Sequence, residues 1–226
     1  MNSVAEFRRI YSCIECTSRT STKLLRDSHD NLPQPGFIGQ NYTQTGLILA
    51  GQNPGVCPPG LASEDAEYFR TLRKLRDKET PQVMSELMQV LHAFMHKWPI
   101  WRTYFPLKEC GLELDDIAYF NVIRCRTIKN SAPGKGMIVN CLEHFERWVD
   151  LLHPKGIIFL GKRAFEIAGH IPRQRRILYD FINRKRSLSS TERTQNRARI
   201  VALVKQVLSF SSATCERGVT HKKADR

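Results

Sequence analysis

The stretch Leu47-Ile48-Leu49-Ala50-Gly51-Gln52-Asn53-Pro54-Gly55 decides how this chain folds. Four apolar residues stop at a glycine, and two amide side chains then meet a Pro-Gly pair that cannot continue a strand. A short apolar run without alternation is the pattern of a strand buried on both faces, as in a parallel sheet covered by helices. Ile117-Ala118-Tyr119-Phe120 and Ile157-Ile158-Phe159-Leu160 repeat it, bounded by Gly, Asp or Lys. Helical periodicity fills the intervals. Thr80-Pro81 reads as a cap followed by proline at the first helical position, and Val83, Met84, Leu87, Val90, Leu91, Phe94 and Met95 form an apolar stripe behind it. A second helix is expected from about Met137 to Leu152, with Cys141 in its first turns and Phe145 and Trp148 inward. A third is expected from about Thr194 to Leu208, with Ile200, Leu203, Val204 and Val207 inward. This is an α/β pattern, and in open α/β sheets ligands bind beyond the carboxyl ends of the strands, where Gly51 to Gly55 lie.

Charge narrows the class. The 35 Lys and Arg outnumber the 22 Asp and Glu, for a formal net charge of +13 over 226 residues. Such a balance calls for a polyanionic partner, since each phosphate met by Lys or Arg releases condensed counterions. DNA or another nucleic acid comes first. An anionic membrane surface is the rival, but no strongly apolar helix face accompanies the basic stretches. There is no apolar core of a secretory signal and no run of about 20 apolar residues, so no membrane partner is expected. The chain reads as cytoplasmic, of bacterial or archaeal type and associated with the nucleoid.

In that compartment disulfides are rare, and the seven cysteines need another account. Cys13 and Cys16 form a C-x2-C pair, and Cys125 and Cys141 return with fifteen residues between them. Four thiolates converging from two ends of a domain can hold a [4Fe-4S] cluster or one tetrahedral zinc ion. Cys57, Cys110 and Cys215 break the pattern and read as ordinary thiols.

The order of these elements resembles a family. C-x2-C, a strand followed by G-x-x-P-G, then Asn121-Val122-Ile123-Arg124-Cys125-Arg126, a further Cys sixteen positions later, and a strand ending in Leu160-Gly161 are together similar to the iron-sulfur, family 4 type of uracil-DNA glycosylases. The likeness spans roughly Arg9 to Gln206. It implies a single domain over residues 1–210 built on a central parallel four-stranded sheet flanked by helices, a cluster held by Cys13, Cys16, Cys125 and Cys141, and hydrolysis of the N-glycosidic bond of a flipped-out nucleotide. Residues 211–226 are polar and basic and read as a disordered tail. The protein is expected to act as a monomer.

Cleaving a base from deoxyribose develops positive charge on the sugar and negative charge on the base, so the site needs a positioned water and donors aimed at the base. Asn53 is the candidate for orienting water, with Gln52 as a second polar contact. Asn121 resembles the base-reading asparagine of the family. A planar amide offers an acceptor and two donors, and its orientation decides between the O4 and N3–H of uracil and the N4 amine and N3 of cytosine. Two departures stand out. The family's aromatic after the first motif is replaced by Val56-Cys57-Pro58-Pro59-Gly60-Leu61, leaving Tyr68 and Phe69 as the nearest rings for stacking on a base. The family's late His-Pro-Ser has Ser187-Leu188-Ser189 as its counterpart, so the imidazole is missing. Smaller groups imply a widened pocket, able to admit a modified and even glycosylated cytosine of phage DNA as well as uracil. Arg184, Lys185, Arg186 and Arg193, within a run that also holds Arg173, Arg175, Arg176, Arg197 and Arg199, are candidates for pinching the DNA backbone, with Leu188 as a wedge into the stack. A non-catalytic nucleic-acid-binding module with a structural cluster is the alternative.

Overall fold

A computed structural model describes residues 3–16, 32–99, 105–184 and 187–215, the side chains of Ser3 and of 210–215 excepted. In chain order the elements are α1 (Ser3–Tyr11), β1 (Phe37–Ile38), α2 (Tyr42–Thr45), β2 (Leu47–Gly51), α3 (Ala62–Asp77), α4 (Pro81–His96), β3 (Ile117–Asn121), α5 (Lys135–Leu152), β4 (Gly156–Phe159), α6 (Lys162–Ala168), α7 (His170–Gln174), β5 (Leu178–Phe181) and α8 (Ser190–Cys215), with short 3-10 turns between. The sheet runs β1-β3-β2-β4-β5. β3, β2, β4 and β5 are parallel, and β1 lies antiparallel on the outer edge of β3.

The four expected parallel strands are therefore present, and β1 makes a fifth. It escaped the sequence pattern because two residues carry no periodicity. β5 was not legible either: Leu178-Tyr179-Asp180-Phe181 is half-buried throughout, as an edge strand is, and mixes an acid into its apolar run. β2, between two parallel neighbours, is buried at all five positions.

Alternation along β3 separates two layers. Phe120 stacks on Trp148 of α5 at 4.9 Å, and Phe7 of α1 meets the same indole edge-on at 5.2 Å. Tyr119 and Asn121 point the other way, toward Trp98 just past the end of α4. α4 starts as its sequence requires: the Thr80 side chain accepts from the Val83 N–H, Pro81 follows, and Val83, Leu87, Leu91, Phe94 and Met95 are buried. α5 begins two residues before the expected Met137 and ends at His153, whose left-handed φ of 45° makes it a surface terminus. α8 is longer than its periodicity indicated. Ser189 and Glu192 form a reciprocal cap, the Glu192 N–H donating to the Ser189 hydroxyl at 3.2 Å and the Ser189 N–H to the Glu192 carboxylate at 2.7 Å. The helix runs on to Cys215, five residues into the stretch expected as tail, and 216–226 lie outside the described residues. No described helix is long and apolar enough to cross a membrane.

Candidate functional site

The strand ends create the site. Beyond Gly51, β2 keeps its ladder with β3 for two more residues: the Val122 N–H donates to the Gly51 carbonyl and the Ile123 N–H to that of Gln52, both at 2.8 Å. The chains after β2 and β3 then stay in contact. The Asn53 amide donates to the Thr127 hydroxyl at 3.2 Å and to the Pro54 carbonyl at 3.3 Å, and Thr127 passes its own proton to the Ser131 carbonyl at 2.7 Å. The Val56 N–H donates to the Asn130 side chain at 2.8 Å. Lys129 and Asn130 both take left-handed φ values, 51° and 55°, to bring that side chain back across the loop.

A cleft of about 630 Å³ opens between these loops. Gln52, Asn53 and Asn121 line it, with Tyr119 and Trp98 on one wall and Lys162, Arg163 and Arg184 on the other. A smaller apolar recess adjoins it, where Tyr68, Phe94 and Met95 meet Tyr119 and Asn121. Among the described residues no Asp, Glu or His lines the large cleft. Asn53 has both amide hydrogens engaged, and no described hydrogen bond takes its Oδ1. Asn121 is 5% exposed and its Oδ1 accepts from the Tyr119 hydroxyl at 3.1 Å.

That contact needs Gly51. A Cβ there would lie 2.3 Å from the Asn121 Oδ1 and 2.8 Å from the Tyr119 oxygen, closer than atoms pack. Gly51→Ala is expected to displace the Asn121 side chain and lower thermal stability, measurable by calorimetry; unchanged melting and unchanged ligand binding would mean the loop yields instead.

The structure brings Gln52, Asn53, Asn121 and Arg184 to one cleft. Tyr68 and Phe69 of α3 are buried, Tyr68 at the back of the recess and Phe69 beneath the Arg126 guanidinium at 4.6 Å. Arg126 pairs with Asp65 through both terminal nitrogens at 2.5 and 2.8 Å, which ties α3 to the loop after β3. Ser189 spends its hydroxyl on capping α8, and the exposed Ser187 is not part of the cleft wall. Both were expected at the base; the capping geometry turns Ser189 away. Leu188 is half-buried in a separate hollow of about 240 Å³ between β5 and α8, and the Arg193 side chain donates to its carbonyl at 3.1 Å. Lys185 and Arg186 lie outside the described residues. Arg175, Arg197 and Arg199 are paired with Asp150, Glu109 and Asp180, so part of the basic run serves the fold. Tyr119, Trp98, Thr127, Lys162 and Arg163 were not singled out from the sequence. Tyr119 was findable, because a residue two before Asn121 on a strand shares its face.

The four cysteines of the expected set lie in or beside the core. Cys16, Cys125 and Cys141 are each at most 3% exposed, and Cys13 is half-buried at the end of α1. Cys16 and Cys141 share a hydrogen bond that, with burial, pushes the Cys141 thiol well above its ordinary value. Cys13 is bonded to His144, and the Arg124 backbone N–H donates to the Cys141 sulfur at 3.5 Å. No three His, Cys, Asp or Glu side chains among the described residues are grouped around one point as a single metal ion requires. The guanidinium of Arg124, 1% exposed, lies over the Phe120 ring at 5.3 Å and feels the charges of Cys141, Glu6 and Cys125; one nitrogen donates to the Pro35 carbonyl at 3.3 Å, and Nε and Nη2 have no hydrogen-bond partner among the described residues. Burial pulls it down to about 10, and it remains a cation at neutral pH. A buried cation with two donors lacking partners, close to Cys125 and Cys141, fits an anionic group held by sulfur ligands there.

Comparison with known proteins agrees with this geometry. A type-4 uracil-DNA glycosylase of Sulfurisphaera tokodaii is 35% identical over 126 residues, which cover 56% of this chain and 44% of that protein, so the chain matches just under half of the relative's length. The family model of the uracil DNA glycosylase superfamily matches residues 39–206. That match takes in β2 to β5, both loops of the cleft and most of α8, and on it the chain belongs to the uracil DNA glycosylase superfamily.

Proposed function

We propose that this protein is a monofunctional DNA glycosylase that hydrolyses the N-glycosidic bond of a flipped-out pyrimidine, uracil or a modified cytosine of the kind found in phage DNA, and leaves an abasic site. The observation that carries this is the meeting of Asn53 and Asn121 in one cleft with a cationic wall. Phosphates flanking the target lie along Lys162, Arg163 and Arg184, and the base enters with its pairing edge toward Asn121. As the bond from C1′ to the base nitrogen breaks, its electron pair leaves with the base, and the amide of Asn121 and the nearby cations meet the developing charge. Water, oriented by the Asn53 Oδ1, adds its oxygen to C1′ and releases its proton to solvent or to the departing base. Among the described residues the cleft offers amides in place of a carboxylate or imidazole, and in this reading Asn53 positions water rather than deprotonating it. The volume of the cleft leaves room for a substituent on the ring.

In the same proposal Cys13, Cys16, Cys125 and Cys141 hold a [4Fe-4S] cluster, zinc being the alternative, and Arg124 supplies its countercharge. The cluster would serve as a staple joining the end of α1, the loop after β3 and the start of α5. The resemblance to the iron-sulfur glycosylases supports it, as does the orphaned guanidinium.

The test is base release. Oligonucleotides carrying uracil, and phage DNA with natural cytosine modifications, are incubated with the protein and the freed base is identified by mass spectrometry. Alkali-labile sites and a free pyrimidine are expected. DNA binding without any release would leave the non-catalytic binding module, a role the absence of acid and imidazole side chains also fits.

Arg184→Ala separates binding from chemistry. Removing one phosphate contact is expected to weaken binding and lower the slope of log K against log salt by about 1, the share of one neutralised phosphate. An unchanged slope would take Arg184 off the DNA path.

A further inference from the structure

The hollow of about 240 Å³ between β5 and α8 adjoins the cleft, for Asn183 lines both. Phe181 and Leu188 give it apolar walls, and α8 turns one face toward it with Glu192, Gln195, Asn196 and Arg199 at helical spacing. The Asn196 amide clamps the chain that leaves β5: its Oδ1 accepts from the Asn183 N–H at 3.2 Å, and its Nδ2 donates to the Asn183 carbonyl at 3.3 Å. The hollow is thus held open between two fastened elements.

Arg199 supplies a flat surface within it. The guanidinium lies 5.4 Å from the centre of the Phe181 ring, which itself stacks on Phe165 at 5.0 Å. Nε pairs with the Asp180 carboxylate at 2.7 Å, and Nη2 donates to the Phe181 carbonyl at 2.5 Å and to the Asn196 Oδ1 at 3.4 Å. Three acceptors fix the plane of the group, yet the side chain stays 49% exposed. A fixed, exposed guanidinium plane is a surface on which an unstacked nucleobase lies. Charge disfavours a phosphate there, because Asp180 already offsets Arg199 and the Glu192 carboxylate stands on the wall. Ser189 fills two of the roughly four acceptor positions of that carboxylate, and the others accept from an amino group and repel a carbonyl. Gln195 is exposed, and among the described residues no hydrogen bond engages its amide. The volume, below the roughly 300 Å³ at which pockets for drug-sized ligands begin, suits one planar base.

We propose that this hollow receives a second, unpaired nucleobase, a neighbour of the target in the same strand, stacked on the Arg199 guanidinium, with amino-bearing bases favoured over thymine. The position next to the target rests on the glycosylase function proposed above; the base-binding hollow does not. Glu192 accepts from the exocyclic amine and the Gln195 amide meets the rest of the base edge, while Leu188 covers the ring. In a duplex this second base must leave both its stack and its partner before it reaches the hollow, whereas in a single strand it is already free. The protein therefore acts on single-stranded DNA in preference to duplex.

The experiment is a spacer scan. Binding is measured with single strands carrying 2′-fluoro-2′-deoxyuridine, whose glycosidic bond resists cleavage, while an abasic spacer replaces each of the two nucleotides on either side in turn. One position is expected to lose about tenfold in affinity, within the range that one stacked base is worth, and adenine there should bind more tightly than thymine. Arg199→Lys keeps the charge and removes the plane, so it should level that position and leave the salt slope unchanged, whereas a phosphate contact would survive the change to lysine. Gln195→Ala breaks no described bond and should narrow the difference between adenine and thymine at the same position. Nuclear magnetic resonance reads the hollow without a target base: the side-chain amide signals of Gln195 and Asn196 should move with the trinucleotide d(AAA) and stay in place with deoxyribose 5-phosphate. The inference is overturned if no position stands out in wild type, if the effect survives both variants unchanged, or if duplex is bound and processed as well as single strand. Moving amide signals with no base released from any DNA would sink the glycosylase function and leave the second site standing; release with every flanking position neutral would do the reverse.

Discussion

Asn53→Ala is expected to lower the rate of base release by about 10²–10³ while DNA binding stays within about twofold. The size is that of removing one preorganised polar contact to the developing transition state, and confinement to the rate follows because the proposed partner of Oδ1 is a water and not the DNA. The amide hydrogens of Asn53 are already held by Thr127 and Pro54, so the side chain is aimed before substrate arrives. Single-turnover kinetics with saturating enzyme isolate the chemical step, and a salt-matched binding isotherm checks affinity. Asn53→Asp should retain more release than Asn53→Ala, since a carboxylate also accepts from water. A normal single-turnover rate in Asn53→Ala would remove this residue from the reaction.

Much of this was legible in the sequence because it depends on local pattern. The burial of β2 on both faces follows from Leu47 to Ala50 being apolar without alternation, and the position of Gln52 and Asn53 at the strand end follows from Gly51. Thr80-Pro81 placed the start of α4, and the inward faces of α5 and α8 were readable from spacing alone. The residues that escaped depend on contacts across the fold. Thr127 meets Asn53 over 74 positions of chain, and Trp98 reaches Tyr119 from past the end of a helix. The serines show how a second local pattern competes with a motif. Ser187-Leu188-Ser189 was aligned with a base-binding motif by order in the chain, yet Ser189 followed by Glu192 at the third position is also a helix start, and capping wins because it satisfies backbone donors in every molecule. Of the basic run, Arg175, Arg197 and Arg199 went to nearby carboxylates, while the cleft's cations are Arg184 and, from the beginning of α6, Lys162 and Arg163, which also pair with Glu166. Net charge indicated a polyanionic partner but not which side chains face it.

Cys125→Ala is expected to have the largest effect on stability. If the four proposed ligands hold a cluster from three separate parts of the chain, it would close long loops, and removing one ligand would forfeit binding free energy that is also folding free energy, on the order of 10 kcal/mol for structural metal sites. At about 2–4 °C per kcal/mol for a domain of this size, losing even a few kcal/mol lowers Tm by roughly 10 °C. The loss should be local at first, in the loop from Asn121 to the first turn of α5. There the Arg124 backbone holds the Cys141 sulfur, and the Arg124 guanidinium would be stranded without a counter-anion. Hydrogen exchange across residues 121–141 resolves that segment, and iron and sulfide analysis of protein purified without oxygen reads the group itself. Cys57 gives the control. It is half-buried in the loop beside the cleft with only a weak bond from its thiol to the Pro58 carbonyl at 3.4 Å, and Cys57→Ala should keep full metal content and lose at most about 1 kcal/mol. Zinc in place of iron would leave the stability contrast intact and change only the colour and the analysis. Full metal content and unchanged melting in Cys125→Ala would take this cysteine out of the ligand set, and with it the account of why two donors of a buried arginine lack hydrogen-bond partners.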